Sequence, residues 1–247
     1  MDLNSDLGEG FGIWKLGEDD ALLSVVTSAN VACGFHGGDP PTMHRVCAAA
    51  MSAGVSIGAQ VGYRDLAGFG RRRIDYAADE LRDDVRYQIG ALAAFGPVRY
   101  VKPHGALYNT AAVDQVQAGA VVAAAAAWPG GGLPVMCQPG SVLGQLAAAA
   151  GLRVITEGFP DRAYLPDGRL APRSRPDAVV TDPAVVAERA VRMAVDATVV
   201  AVDGTVVACR VESLCVHGDT AGAVLLAARV RDGLRAAGVE LAAACPP

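Results

Sequence analysis

Three of the four histidines in this chain follow short apolar runs, each with glycine and a carboxylate or lysine close by. His36 closes Asn30-Val31-Ala32-Cys33-Gly34-Phe35-His36 and precedes Gly37-Gly38-Asp39; His104 sits in Lys102-Pro103-His104-Gly105; His217 opens His217-Gly218-Asp219. Other apolar runs deliver Asn4, Asp6 and Glu9, then Gln60, Tyr63, Arg64 and Asp65, and finally Glu157, Asp161 and Arg162. Imidazoles gathered with carboxylates serve either general acid–base chemistry or a hard or borderline divalent ion. Asp6, Glu9, His36, Asp39, His104, His217 and Asp219 have the donor types for both, with Asp6, His36 and His104 as the metal candidates. No His-x-x-x-His or His-Glu-x-x-His spacing selects the metal reading. Lys102, desolvated among strands, could hold a negative oxygen, act as a base with a lowered pKa, or form an ion pair with Asp6 or Glu157. His44 lies inside a helical pattern and reads as a surface or packing residue.

The elements that position these groups alternate. Short apolar runs near 2–6, 27–33, 55–60, 98–102, 133–137, 153–157 and 213–217 read as buried parallel strands. Between them lie helical patterns with readable ends. Glu18-Asp19-Asp20 opens one, Pro40-Pro41 precedes Thr42–Ser52 with Gly54 after it, and Glu80–Ala94 stops before Gly96-Pro97. Val113–Ala127, Ser141–Ala150, a helix capped by Asp182-Pro183, and Thr220–Ala236 complete the set. Val199–Val202, Asp203-Gly204 and Thr205–Val211 read as a β-hairpin with a type I′ turn. The loop Pro160–Pro176 is long enough for a lid or a partner-binding segment. Seven β→α alternations without a low-complexity linker predict one α/β domain over 1–247, its parallel sheet either closed as a barrel or open and doubly wound. Either sheet collects its ligands at the carboxyl ends of the strands, where the polar groups named above fall.

Composition narrows the classes. The chain has 247 residues, 52% hydrophobic, with a net charge of −5, which argues against nucleic acid or an anionic membrane as partner. No apolar run is long enough to cross a bilayer and the start has no export-signal pattern, so a cytoplasmic location is expected. Six cysteines without a CxxC pair read as reduced and buried. Neither a phosphate-binding P-loop, a dinucleotide fingerprint nor a G-x-S-x-G elbow is present.

The segments 2–12, 28–40, 58–72, 101–109, 157–173 and 215–222, taken in order, closely resemble the LamB/YcsF family, the A subunits of prokaryotic 5-oxoprolinase. The resemblance implies a seven-stranded (β/α)7 barrel related to sugar deacetylases. It further implies ATP-dependent opening of 5-oxo-L-proline to L-glutamate, with separate B and C subunits as partners; self-association of the chain is compatible with it. Many members carry His-Pro after Gly-Ala in the third motif, whereas this chain has Gln60-Val61, and a glutamine can neither shuttle a proton nor ligate a metal well.

That chemistry assigns roles. Phosphorylation of the lactam oxygen by ATP gives an imidate-like phosphate that water can attack. Asp6 or His36 would activate the water, with Glu9 and Asp39 orienting. Lys102 and His104 would stabilise the oxyanion or phosphate, and His217 with Asp219 would protonate the leaving nitrogen. Arg162 would grip the substrate carboxylate as a bidentate fork, and Asn4, Asn30, Tyr63 and Glu157 would complete the substrate site. Without a P-loop, ATP would be bound largely by a partner or in a shared cleft. The alternative on the same barrel is a stand-alone metal-dependent deacetylase or amidohydrolase acting on a carbohydrate-like amide.

Overall fold

The computed structural model describes residues 1–219 and 222–247. Its elements run β1 (Asp2–Leu7), α1 (Asp19–Leu23), β2 (Ser28–Ala32), α2 (Pro40–Ala53), β3 (Ser56–Val61), α3 (Ala78–Ala93), β4 (Val98–Pro103), α4 (Gly105–Ala111) and α5 (Gln115–Ala126). They continue as β5 (Val135–Cys137), α6 (Val142–Ala149), β6 (Val154–Gly158), α7 (Pro183–Val195), β7 (Thr198–Val200), β8 (Val206–Ala208), β9 (Ser213–Val216) and α8 (Ala223–Ala236). The seven strands β1-β2-β3-β4-β5-β6-β9 pair in parallel and close on themselves. Closure is made by β9, which pairs with β1 at Asp2↔Ser213 and with β6 at Glu157↔Ser213. The open, doubly wound alternative is thereby removed.

Every residue of β1, β2 and β3 is buried, yet the two faces of these strands differ in kind. Leu3, Leu7, Val31, Ile57 and Val61 belong to the main apolar core, together with Val46, Leu81, Ile89, Val121 and Val230 of the surrounding helices. Alternate residues carry polar groups into the barrel. Asp2 accepts from Ser28 (2.8 Å) and Ser213 (2.5 Å), and Asn4 donates to Ser213 (2.7 Å) and Glu157 (3.0 Å). Asn30 donates to Asn4 (2.7 Å) and Asp6 (2.9 Å). The barrel is thus filled by a hydrogen-bonded polar ladder, since a buried polar group is tolerable only when paired. Tyr100 crosses this interior to donate to Asn30 Oδ1 (2.6 Å). It can do so because its cross-strand neighbour is Gly58, where a Cβ would stand 2.2 Å from the ring.

The helix ends follow the sequence signals. Asp39 caps α2, Asp114 caps α5, Ser141 caps α6 and Asp182 caps α7, each accepting from a backbone N–H of the first turn. The short helix α4 is not separable in sequence from the alanine-rich pattern after it, and the expected start of the last helix at Thr220 lies outside the described residues. The hairpin forms, with Val200 opposite Val206, but its turn is not type I′. Gly204 (φ 87°) donates to Ala201 O (3.0 Å), whereas Asp203 is not in the left-handed region. With five residues between the paired ends, one glycine in that region suffices, and the Asp203 carboxylate instead accepts from Thr205 N–H (3.0 Å). All six cysteines are free and buried, as expected. Among the described residues no helix is long and apolar enough to cross a membrane.

Candidate active site

At the carboxyl ends of the strands the barrel opens into a cavity of about 590 Å³. Asp6 from β1, Lys102 at the end of β4, His104 before α4, and His217 after β9 all line it, although up to 211 residues separate the elements in sequence. One wall is the loop after β6, which contributes Arg162, Leu170 and Arg173, so the segment expected to be a lid or partner contact forms part of the site.

Lys102 sits at the boundary between ladder and cavity. Its Nζ lies 3.0 Å from Asp6 Oδ1 and 2.8 Å from Glu157 Oε1, and donates also to Cys215 Sγ at 3.2 Å. Burial alone would lower the Lys102 pKa, but Asp6 and Glu157 outweigh it and push the ammonium's pKa well up. The expectation of a base with a lowered pKa is therefore corrected: two carboxylates hold the proton on, and Lys102 acts as a fixed positive charge. Burial pushes Asp6 upward, yet Lys102, His217 and His104 together hold its carboxyl well below the ordinary range. Glu157, the deeper partner, is raised by burial and takes a further hydrogen bond from Tyr108 (2.9 Å).

His217 is the second anchor. Its Nδ1 lies 2.8 Å from Asp161 Oδ2, and its backbone N–H donates to the same oxygen at 3.1 Å. An acceptor at Nδ1 fixes the tautomer that leaves a lone pair on Nε2. The expected partner Asp219 is engaged elsewhere, by Arg71 at 2.5 Å. Asp161 is visible in the sequence, but nothing there shows that the turn after β6 carries it under β9. Phe159 stacks on His217 with ring centroids 5.6 Å apart.

His36 and His104 form a pair. The His36 and His104 rings stack at 4.0 Å, with Phe69 against the edge of His104 at 5.1 Å. Gly70 (φ 63°) closes over both, and a Cβ there would meet His104 Nδ1 and His36 Cβ at 2.8 Å. Only His104 reaches the cavity; His36 is wholly buried behind it and bonded through Nε2 to Gln60 Oε1 (3.0 Å). His36, expected to activate the water, thus stands behind His104 and does not line the cavity. Burial lowers its pKa to about 4, and burial with His36 alongside lowers that of His104 well below its ordinary value, so both are neutral at pH 7. Gln60 also donates to Glu9 Oε1 (3.2 Å), whose pKa burial and the nearby Asp6 raise well above the usual range. In place of an imidazole, Gln60 bridges the neutral His36 and the buried Glu9 carboxyl.

Glu9, His36 and His104 offer ligand atoms within 4.8 Å of one another, a set that could hold a divalent ion by type and spacing. Asp6, expected among the ligands, is not in it. The Nδ1 atoms of His36 and His104 are buried with no partner among the described residues, while His36 Nε2 already has Gln60 Oε1 as its acceptor, the arrangement in which a ligating imidazole is held from behind. No step below is routed through a metal.

Several residues expected to contact substrate are engaged by protein partners. Asn4, Asn30 and Glu157 lie beneath Lys102 in the ladder, engaged by one another and by Ser213, Tyr100, Tyr108 and Lys102. Asp39 is the α2 cap and also accepts from Gly12 N–H (2.7 Å), tying the β1 loop to the helix. Tyr63 stacks on Tyr76 and donates to Gln117 (3.2 Å), away from the cavity. Arg162 does line the cavity, but not as a free fork: Nε donates to Ala178 O (3.1 Å) and Nη2 to Ala171 O (2.7 Å), so it pins its own loop.

The LamB/YcsF family model matches residues 1–246. The chain belongs to the LamB/YcsF family. The 5-oxoprolinase A subunit of Mycobacterium avium is 60% identical over 99% of both chains. A lactam utilization protein from Thermus thermophilus has the same structure, with a TM-score of 0.92 at 46% identity over 98% of each chain. A T48 deacetylase superposes with a TM-score of 0.51 at 13% identity, over 98% of this chain and 86% of that one, which shows a shared barrel architecture. The barrel expected from the family resemblance is thus the one observed.

Proposed function

We infer that this LamB/YcsF chain is the A subunit of a 5-oxoprolinase and that its cavity opens the ring of 5-oxo-L-proline, giving L-glutamate, in an ATP-dependent reaction shared with B and C subunits. The observation that carries this reading is the Asp161–His217 pair facing the same cavity as the Asp6–Lys102 pair, in a chain whose full-length relative is named for that reaction.

A lactam resists water because amide resonance weakens the carbonyl and makes nitrogen a poor leaving group. With the amide oxygen phosphorylated, the ring carbon becomes electrophilic. His217 Nε2 takes a proton from the attacking water, with Asp161 stabilising the imidazolium, and returns it to the ring nitrogen. As the C–N bond breaks, the tetrahedral hydroxyl gives its proton to the departing amine, leaving an acyl phosphate that a second water cleaves to L-glutamate and inorganic phosphate. Lys102, held charged, stabilises negative charge developing on oxygen. Asp6, ionised at the cavity floor, orients the water or the nascent ammonium. Neutral His104, braced by His36 and Gly70, supplies a hydrogen-bonding edge to the ring. ATP is bound by the partners or in a cleft shared with them, consistent with the missing P-loop. The deacetylase alternative has the barrel and the Glu9, His36 and His104 donor set in its favour, but the full-length relative is named for the oxoprolinase reaction.

The test is glutamate formation from 5-oxoproline, with ATP hydrolysis, by the chain with and without B and C. Ring opening that requires all three supports the reading. Equal rates from B and C alone overturn it.

A further inference from the structure

The cavity is far more cationic than a small lactam requires. In a chain of net charge −5, it is lined by Arg71, Lys102, Arg162, Arg169 and Arg173, with Asp6 as the one carboxylate among its lining residues. Three of these cations have carboxylate partners: Lys102 with Asp6 and Glu157, Arg71 with Asp219, and Arg169 with Asp167. Two do not. Arg162 is 5% exposed, bonds only backbone carbonyls, and its Nη1 has no protein partner among the described residues. Arg173, on the same loop, has neither a carboxylate nor a hydrogen-bond partner among them.

Asp161, already bonded to His217, offsets Arg162 only through space, and two guanidiniums without a bonded carboxylate are costly at one cavity, because their charges repel where solvent is partly excluded. The effect is visible on Arg162, which burial first and then Arg173 lower to about 10. The lactam carboxylate, with one negative charge, would neutralise one of the two. A phosphoryl group, carrying close to two charges and three acceptor oxygens, matches both. We propose that Arg162 and Arg173 form a phosphoryl-binding subsite in the wall of this cavity. The phosphoryl group belongs either to a nucleotide reaching in from a partner or to a lactam already phosphorylated on oxygen. Only this choice of ligand rests on the proposed function; the subsite itself rests on the charge count and the geometry.

The experiment titrates inorganic phosphate, ATP and 5-oxoproline separately into the full-length chain by calorimetry, for wild type and Arg173→Ala. Arg173 makes no internal bond, so its removal spares the fold, whereas loss of Arg162 would release the loop it pins. Phosphate is expected to bind wild type and to bind Arg173→Ala at least about tenfold more weakly, the scale of a lost charge-assisted pair. The 5-oxoproline affinity is expected to change much less. If ATP binds with the same dependence on Arg173, the phosphoryl group is the nucleotide's. If phosphate binds and ATP does not, it is the substrate's. No phosphate binding by wild type, or binding indifferent to Arg173→Ala, overturns the subsite. These titrations need no partner chains, so phosphate binding retained in a chain that fails to open the lactam counts against the function and not against the subsite.

Discussion

Two polar layers share the inside of one barrel, and they obey opposite rules. In the lower layer, Asp2, Asn4, Asn30, Tyr100 and Ser213 are paired side chain to side chain. In the upper layer, among the described residues, His104 Nδ1 and Arg162 Nη1 lack partners, and His217, held through Nδ1, lines the cavity. Saturated hydrogen bonding fixes a structure and leaves nothing for a ligand; unsaturated groups held rigidly by their neighbours are what a substrate can complete. Lys102 belongs to both layers, neutralising the lower through Glu157 and charging the upper through Asp6.

The contrast is broken most severely at His217. His217→Ala is expected to lower kcat for ring opening by roughly 10²–10⁴-fold, and to lower Tm as well, because the buried Asp161 carboxylate keeps only the backbone N–H of residue 217. A rate within severalfold of wild type in the reconstituted complex would remove the base from the upper layer. Lys102→Met strikes both layers, removing the cation between two buried carboxylates. It is expected to cost about 3–5 kcal/mol in urea unfolding as well as activity; a variant as stable as wild type would mean that the charges are not coupled.

A pH series sharpens the difference further. His36 has a folded pKa of about 4, against about 6.5 when unfolded, so the unfolded chain binds the extra proton between those values. Stability from His36 is complete above pH 6.5 and falls as pH drops toward 4, by about 3 kcal/mol in all. Glu9, raised in the fold, works with the opposite sign, losing its contribution as pH climbs above the ordinary carboxylate value. The clean measurement is therefore the difference between wild type and His36→Gln across this window. The variant should show the shallower acid loss, and parallel curves would show that His36 is not held neutral by burial. The smallest effect belongs to Tyr63→Phe. It removes one hydrogen bond to Gln117, costs about 1 kcal/mol or less, and leaves turnover unchanged. A clear loss of turnover would put Tyr63 back in the site.

The layers are not equally legible in the sequence. All seven barrel strands can be placed from apolar runs and glycine–proline punctuation, and His36, Lys102, His104 and His217 stand out because parallel strands deliver their last residues to one rim. What stays hidden is which polar residue answers which. Asp2, Asn4 and Asn30 read as site residues or as nothing in particular, because polarity alone does not tell the middle of a barrel from its mouth. Asp219 is the obvious neighbour of His217 in sequence, but the loop after β6 brings Asp161 nearer in space. Asp39 reads as an orienting residue of the substrate site, although its position before Pro40-Pro41 also marks it as a helix cap, which it is. The cationic wall escapes for a related reason: Arg71, Arg169 and Arg173 sit in loops whose course no periodicity reveals.

The central claim is that the upper layer, and not the ladder or the outer surface, receives the lactam. With four histidines in the chain, an imidazole ¹⁵N spectrum offers four reporters: two at the cavity, one behind it, and His44 on the exposed face of α2. Addition of 5-oxoproline to the labelled chain should shift His104 and His217 most, His36 less, and His44 not at all. Saturation with the lactam that leaves His104 and His217 unmoved would contradict the account.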